Sequence, residues 1–181
     1  MTWEQRLLDL FEDLEQQAEG AALAARDAEV AELARAEYSE VDLGSRWHAS
    51  VGREVQLSSA HGLVLRGRVA RVGAGWCLVV QTAGESDGDR EWVVVLDAVV
   101  SVRGLSPQAR PASLRPVTSR LGLGSALRGV AEDRAPVTLV RTDGARRRGR
   151  LGRVGQDFVE LLAEDGSTEA VPFSALVAVL R

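Results

Sequence analysis

The chain carries an internal duplication, and this constrains its fold more than any other feature. Residues 54–80 align without a gap on residues 136–162, and nine of the 27 positions are identical. The pairs are Val55/Val137, Leu57/Leu139, Gly62/Gly144, Arg66/Arg148, Gly67/Gly149, Arg68/Arg150, Arg71/Arg153, Val72/Val154 and Gly73/Gly155. After a variable hairpin the match resumes at an offset of 77, with Val94/Val171, Ala98/Ala175, Val100/Val177 and Val102/Val179. The first copy has five more residues around Gly84 to Arg90. Whatever unit the first copy forms, the second must form too.

Each copy reads as consecutive short strands. Val55 and Leu57 alternate in a first strand, and a turn ends at Gly62. Leu65, Gly67 and Val69 alternate in a second, and Gly73 marks the next turn. Trp76 to Val80, Trp92 to Leu96 and Val100 to Val102 complete five strands. In the second copy the turns fall at Asp143-Gly144, Gly155 and Asp165-Gly166, where Asp-Gly favours tight hairpin geometry. Gly67 and Gly149 sit in mid-strand, and such a glycine marks a sharp bend in a small curled sheet. Five bent strands in about 50 residues predict a small SH3-like barrel.

These features together resemble an Sm-like (LSm) domain in each copy. The resemblance runs through the hydrophobic first strand, the turn at Gly144, the bent strand at Gly149, the turn from Gly155 to Asp157 and the closing strand from Val171 to Val179. It spans roughly residues 51–103 and 134–181, with a helix preceding in the position an Sm domain places one. The helix-plus-two-barrels layout is also similar to that of proteins from high-GC Gram-positive bacteria. The resemblance implies oligomerisation through strand edges and binding of single-stranded RNA. It also implies an Asn base reader near the third strand, and here the sequence departs from the pattern. The second copy has Gln156-Asp157-Phe158-Val159-Glu160, with Glu160 near the Asn position. The first has Ala74-Gly75-Trp76-Cys77-Leu78, with no polar reader. The family's uridine pocket is not carried over.

Before the first copy lies an acidic, helix-forming segment. Thr2 and Gln5 fit a capping box. Trp3, Leu7, Leu10, Phe11, Leu14 and Ala18 recur at three- and four-residue steps, which predicts one apolar helical face. Ala21 to Tyr38 also reads as helical, either continuous with the first stretch or folded back after Gly20. A short helical turn carrying Leu43 and Trp47 leads to the first strand. The apolar stripe must be covered, by the chain's own sheet or by another helix. Residues 104–135 hold Pro107, Pro111 and Pro116, and a second short helix is expected from Ser119 through Val130. The expected organisation is therefore α+β, an N-terminal helical segment followed by two duplicated small SH3-like/Sm-like β-barrels. Its divisions are 1–50, the helical segment; 51–104, the first barrel; 105–133, a linker with a short helix; and 134–181, the second barrel.

Charge is unevenly spread. The chain of 181 residues is net −4, but residues 1–50 are net −8, residues 51–103 neutral, residues 104–135 net +3 and residues 136–181 net +1. There is no Lys, Asn or Ile, so all 22 basic residues are Arg. Codons for the missing three begin with AA or AT, which points to a GC-rich genome. Only the placement of Arg, and not its identity, therefore carries information. Strand alternation puts Arg146, Arg148 and Arg150 on one side of their strand, with Arg147 adding to the cluster and Arg153 following. Arg66, Arg68 and Arg71 hold the equivalent places in the first copy. Two such rows suit phosphate contacts, since guanidinium groups bond phosphate bidentately. The same charges would also discourage edge-to-edge strand pairing.

Other chemistry is sparse. His48, His61 and Cys77 do not have zinc-site spacing, and a single cysteine forms no internal disulfide. No nucleophile elbow, phosphate-binding loop or metalloprotease helix occurs, so no catalytic residue, metal or cofactor is expected. No apolar run approaches the roughly 20 residues needed to span a membrane, and no secretory leader is legible. The expected protein is a cytoplasmic, non-enzymatic binding module without a small-molecule substrate. One reading is RNA binding through Arg66, Arg68, Arg71, Arg146, Arg148, Arg150 and Arg153. The alternative is a protein-interaction or assembly scaffold, binding a protein partner or itself through the barrels and through Trp3, Leu7, Phe11 and Leu14.

Overall fold

The computed structural model describes residues 3–59, 62–82 and 88–181, with the side chains of residues 4, 6–14 and 18 outside the description. The chain divides into two units, Met1–Val41 and Asp42–Arg181.

The first unit is helix α1, Trp3–Ser39. It runs unbroken through Gly20, because the flanking Ala, Glu and Arg residues are strong helix formers and one glycine costs only about 1 kcal/mol. Ser39 Oγ closes its last turn by donating to the Ala36 carbonyl at 2.7 Å. Trp3, Leu23, Val30, Leu33 and Tyr38 are exposed.

The second unit holds both sequence repeats. Helix α2, Leu43–Ala49, is capped by the Asp42 side chain, which accepts from the Ser45 backbone N–H at 2.7 Å. Five strands follow: β1 Glu54–Ser59, β2 Val64–Val72, β3 Trp76–Gln81, β4 Arg90–Val95 and β5 Val99–Arg103. Two short 3-10 turns lead to α3, Leu123–Glu132. The second set is β6 Pro136–Arg141, β7 Arg146–Val154, β8 Phe158–Ala163, β9 Thr168–Pro172 and β10 Leu176–Leu180. Every expected strand and both short helices are present. Leu-Gly-Ser at 43–45 recurs at 123–125 where the two helices begin, so the duplicated unit is a helix plus five strands.

All ten strands form one antiparallel sheet in the order β5-β1-β2-β3-β4-β10-β6-β7-β8-β9. Each half has the same internal order, its fifth strand beside its first. The halves join where β4 pairs β10, with Ala178 opposite Val94, Val179 opposite Val93 and Leu180 opposite Trp92. The sheet is open, with β5 and β9 as its outer strands. Closure into two separate barrels is therefore not what the strand pairing gives.

The mid-strand glycines have a steric cause. A Cβ on Gly67 would meet the Val80 carbonyl oxygen, and one on Gly149 the Leu162 carbonyl oxygen. The register slips just beyond each, after Val69 and after Leu151. The bend expected from sequence thus brings β2 close onto β3, and β7 onto β8, where no side chain fits.

Two apolar cores lie on this sheet and share strands. Trp47, Leu57, Leu65, Val69, Cys77 and Val79 build the first, together with Val140 of β6 and Val177 of β10. Leu127, Leu139, Val159, Leu161 and Val171 build the second, together with Trp76 of β3 and Val93 of β4. On β4, Trp92 and Val94 face one core and Val93 the other, as the two-residue period of a strand requires. Each half thus completes the other's core.

Candidate nucleic-acid interface

The Arg residues singled out in the sequence are exposed, and they stand in two separate places. Arg66 and Arg68 project from β2, alternating with buried Leu65, Gly67 and Val69. Across the ladder, Gln56 of β1 lies opposite Arg66 and also opposite Arg103 of β5, while Glu54 lies opposite Arg68. Arg103, Gln56 and Arg66 therefore form one row across three strands, with Arg68 two residues along. Arg103 and Gln56 were not singled out in the sequence, because their place beside Arg66 depends on β5 pairing β1. Beside this row, Ser58 and Ser101 share a hydroxyl–hydroxyl hydrogen bond of 2.7 Å. Among the described residues, Arg66, Arg68, Arg71 and Arg103 form no ion pair within 4 Å.

The second cluster is different. Arg146, Arg147, Arg148 and Arg150 project from β7, with Gly149 and Leu151 buried between and beyond. Arg148 Nε lies 3.5 Å from Glu164, Arg147 Nε 4.0 Å from Glu169, and Arg153 Nε 3.1 Å from Glu160. Glu169 also holds Arg141 at 2.6 Å. Arg146 and Arg150 have no such partner among the described residues. Glu160, the residue at the expected Asn position, is thus the hydrogen-bonding partner of Arg153.

The two rows do not merge. β2 and β7 are separated by β3, β4, β10 and β6. At about 4.8 Å per strand, that is on the order of 24 Å measured along the sheet. Each row alone can meet a few successive phosphates, and Gln56 and the paired serines add uncharged hydrogen-bonding groups beside the first.

The remaining singled-out residues have structural settings. Trp76 is buried in the second core, and its indole N–H donates to the Leu121 carbonyl at 2.8 Å, so it offers no stacking surface on the outer face. Burial pushes the Cys77 thiol up to about 12, which keeps it protonated and unreactive. His48 is buried on α2; desolvation lowers its pKa, Arg115 and Arg110 lower it further, and Asp42 opposes them. Asp143 and Asp165 anchor the two Asp-Gly turns by accepting from the Ala145 and Ser167 backbone N–H groups at 2.9 and 2.8 Å. These bonds hold both carboxyls below their ordinary range, with the Ser167 hydroxyl contributing most at Asp165. On α1, Trp3 is exposed, whereas the side chains of Leu7, Phe11 and Leu14 lie outside the description, as does His61.

Among the described residues no group of three or more His, Cys, Asp or Glu is placed to hold a metal ion, and no helix is long and apolar enough to cross a membrane. Neither a comparison with protein-family models nor one with curated protein sequences returns a match.

Proposed function

We propose that this chain is a non-enzymatic module that binds single-stranded RNA along its phosphate backbone, each half serving as a small SH3-like, Sm-like unit. Arg66, Arg68 and Arg103 on the outer face of β5-β1-β2 form no ion pair within 4 Å among the described residues, with Glu54 opposite Arg68 as the one acid in the row, and they are the observation that carries the reading. An exposed guanidinium without a carboxylate partner keeps its charge available to a phosphate. Recognition is of the backbone and not of bases, because the base-reading Asn is missing and Trp76 is buried. Fluorescence anisotropy with a labelled single-stranded RNA across a salt series tests it. Binding should weaken with salt at a log–log slope of about −0.7 per phosphate contacted, near −2 for three contacts. Substituting Arg66, Arg68 and Arg103 together by Gln should remove most of that slope. No affinity at low salt, or an unchanged slope in the triple variant, would overturn the reading.

Edge-to-edge self-assembly is a second reading, favoured by the repeat mates of the β4–β10 junction. Those mates are β9 and β5, the two outer strands. Val100 is 67% exposed, whereas its mate Val177 is buried at 1%. The same register between two copies would set Arg103 opposite Glu169, where the internal junction has Leu180 opposite Trp92. Sedimentation over a concentration range tests this reading. Association that Val100→Glu abolishes supports it, and a monomer at every concentration ends it.

A further inference from the structure

Helix α3 does not lie flat on the whole of the sheet beneath it. Between it and the β3-β4-β10 stretch is a cleft of ≈ 290 Å³ with an apolar floor, built from Trp76, Leu78, Val93 and Val179 and walled by Val130 of the helix. The volume sits just below the roughly 300–1,000 Å³ range of ligand pockets and suits one or two fused rings. The Trp76 ring is held in place by its hydrogen bond to Leu121.

Two observations distinguish this cleft from a packing flaw. The first is its charge. Arg71 stands at the rim and has no ion-pair partner among the described residues. Its repeat mate Arg153 is held by Glu160 at 3.1 Å, and the mate of Glu160 is Leu78, which lines the cleft. At this position the first half thus has an apolar wall where the second has a neutralising acid. Of the other charged groups at the cleft, Arg181 is paired with Glu91 at 3.4 Å and with Asp133 at 2.5 Å. Arg71 is thus the guanidinium at the cleft with no carboxylate within 4 Å among the described residues, beside an apolar floor.

The second observation is Gly129, in the middle of α3 and lining the cleft. Glycine weakens a helix relative to alanine. A Cβ at Gly129 would meet nothing within 4 Å, so no neighbour in the fold requires glycine there. What its missing side chain preserves is room at the cleft mouth.

We propose that this cleft binds a small, flat, largely apolar molecule bearing one anionic group, with the rings against Trp76 and Leu78 and the anion on Arg71. The site is independent of the RNA reading, because Arg71 belongs to the cleft and is not needed for the Arg66–Gln56–Arg103 row. The test uses 1-naphthoate as probe and its uncharged analogue 1-naphthamide as control, with binding read from ¹⁵N–¹H spectra of the whole chain. Naphthoate should shift the Trp76 indole and Gly129 amide signals and bind about tenfold tighter than the amide, the gain expected of a charge-assisted hydrogen bond. Arg71→Gln should erase that preference while leaving the amide's affinity unchanged. Gly129→Leu should weaken both ligands. Equal affinity for the two probes, shifts confined to other signals, or a preference that survives Arg71→Gln would overturn the proposal. Loss of RNA binding with retained naphthoate binding would overturn the RNA reading alone.

Discussion

The two halves of the sheet share a strand order, bent glycines and Arg positions, yet they spend their charges differently. In the first half, Arg66, Arg68 and Arg71 form no ion pair within 4 Å among the described residues, although Glu54 lies opposite Arg68. In the second half, Glu160, Glu164 and Glu169 stand against the corresponding row. The duplication kept what the fold requires, Gly67/Gly149 and the alternating core, and let the surface diverge. Positions that remain equivalent in sequence are therefore not equivalent in chemistry, and the difference gives each half a separate expected role.

The largest expected effects test whether the halves are one folding unit. Trp47 anchors the first core and Leu127 the second, and both are essentially unexposed. Trp47→Ala should cost about 3–5 kcal/mol and Leu127→Ala about 2–5 kcal/mol. Because β4 and β10 feed both cores, each variant should shift a single urea transition, with far-UV circular dichroism and the fluorescence of the remaining Trp residues moving together. Two separated transitions would show that each half stands alone and that the shared core contributes little.

Exchanging the halves' electrostatics comes next. Glu160→Leu with Glu164→Gln leaves Arg153 and Arg148 without partners and should make the second half resemble the first. RNA affinity should rise, and the log–log salt slope should steepen by about 1.4 for two added phosphate contacts. In the opposite direction, Leu78→Glu supplies the first half with the acid it lacks. That change should abolish the preference of the cleft for naphthoate over naphthamide. If neither exchange moves its readout, the unequal pairing of the Arg rows has no functional meaning.

How much of this was legible in the sequence follows from the range of each interaction. The strands, their turns and the bent glycines are encoded within a few residues, so alternation and Asp-Gly placed them. The junction is not local. Nothing in Val93, Val94 or Val179 taken singly says that β4 meets β10, so the joining of the two halves into one open ten-stranded sheet was not legible. The row Arg103–Gln56–Arg66 was hidden for the same reason, since it forms only once β5 and β2 flank β1. The partner of Arg153 lies seven residues away across a slipped register, so counting alternate residues does not reveal it. Helix α1 shows the opposite case, in which high local propensity carries the chain through Gly20.

A further asymmetry is titratable. His48 is buried on α2, whereas the same place on α3, at an offset of 80, is occupied by the exposed Arg128. Burial and the nearby Arg115 and Arg110 lower the His48 pKa below its ordinary 6.5. The folded state therefore binds a proton less readily than the unfolded one, and stability should fall as pH drops through 6.5 toward the folded pKa, then level off. His48→Gln should flatten that part of the stability–pH curve measured by urea denaturation. A slope unaffected by the substitution would assign it to other groups.

The smallest expected effect sharpens the comparison most, because it separates fold from function. Arg148 and Glu164 are both largely exposed and 3.5 Å apart, so solvent screens the pair. Glu164→Gln alone should change unfolding free energy by less than about 0.5 kcal/mol. The same change removes the carboxylate competing with phosphate for Arg148, so RNA binding at low salt should still tighten. A stability loss above 1 kcal/mol would mean that these acids hold the second half together. In that event the first half's free Arg row would have to be explained by a difference in folding requirement, and not in ligand.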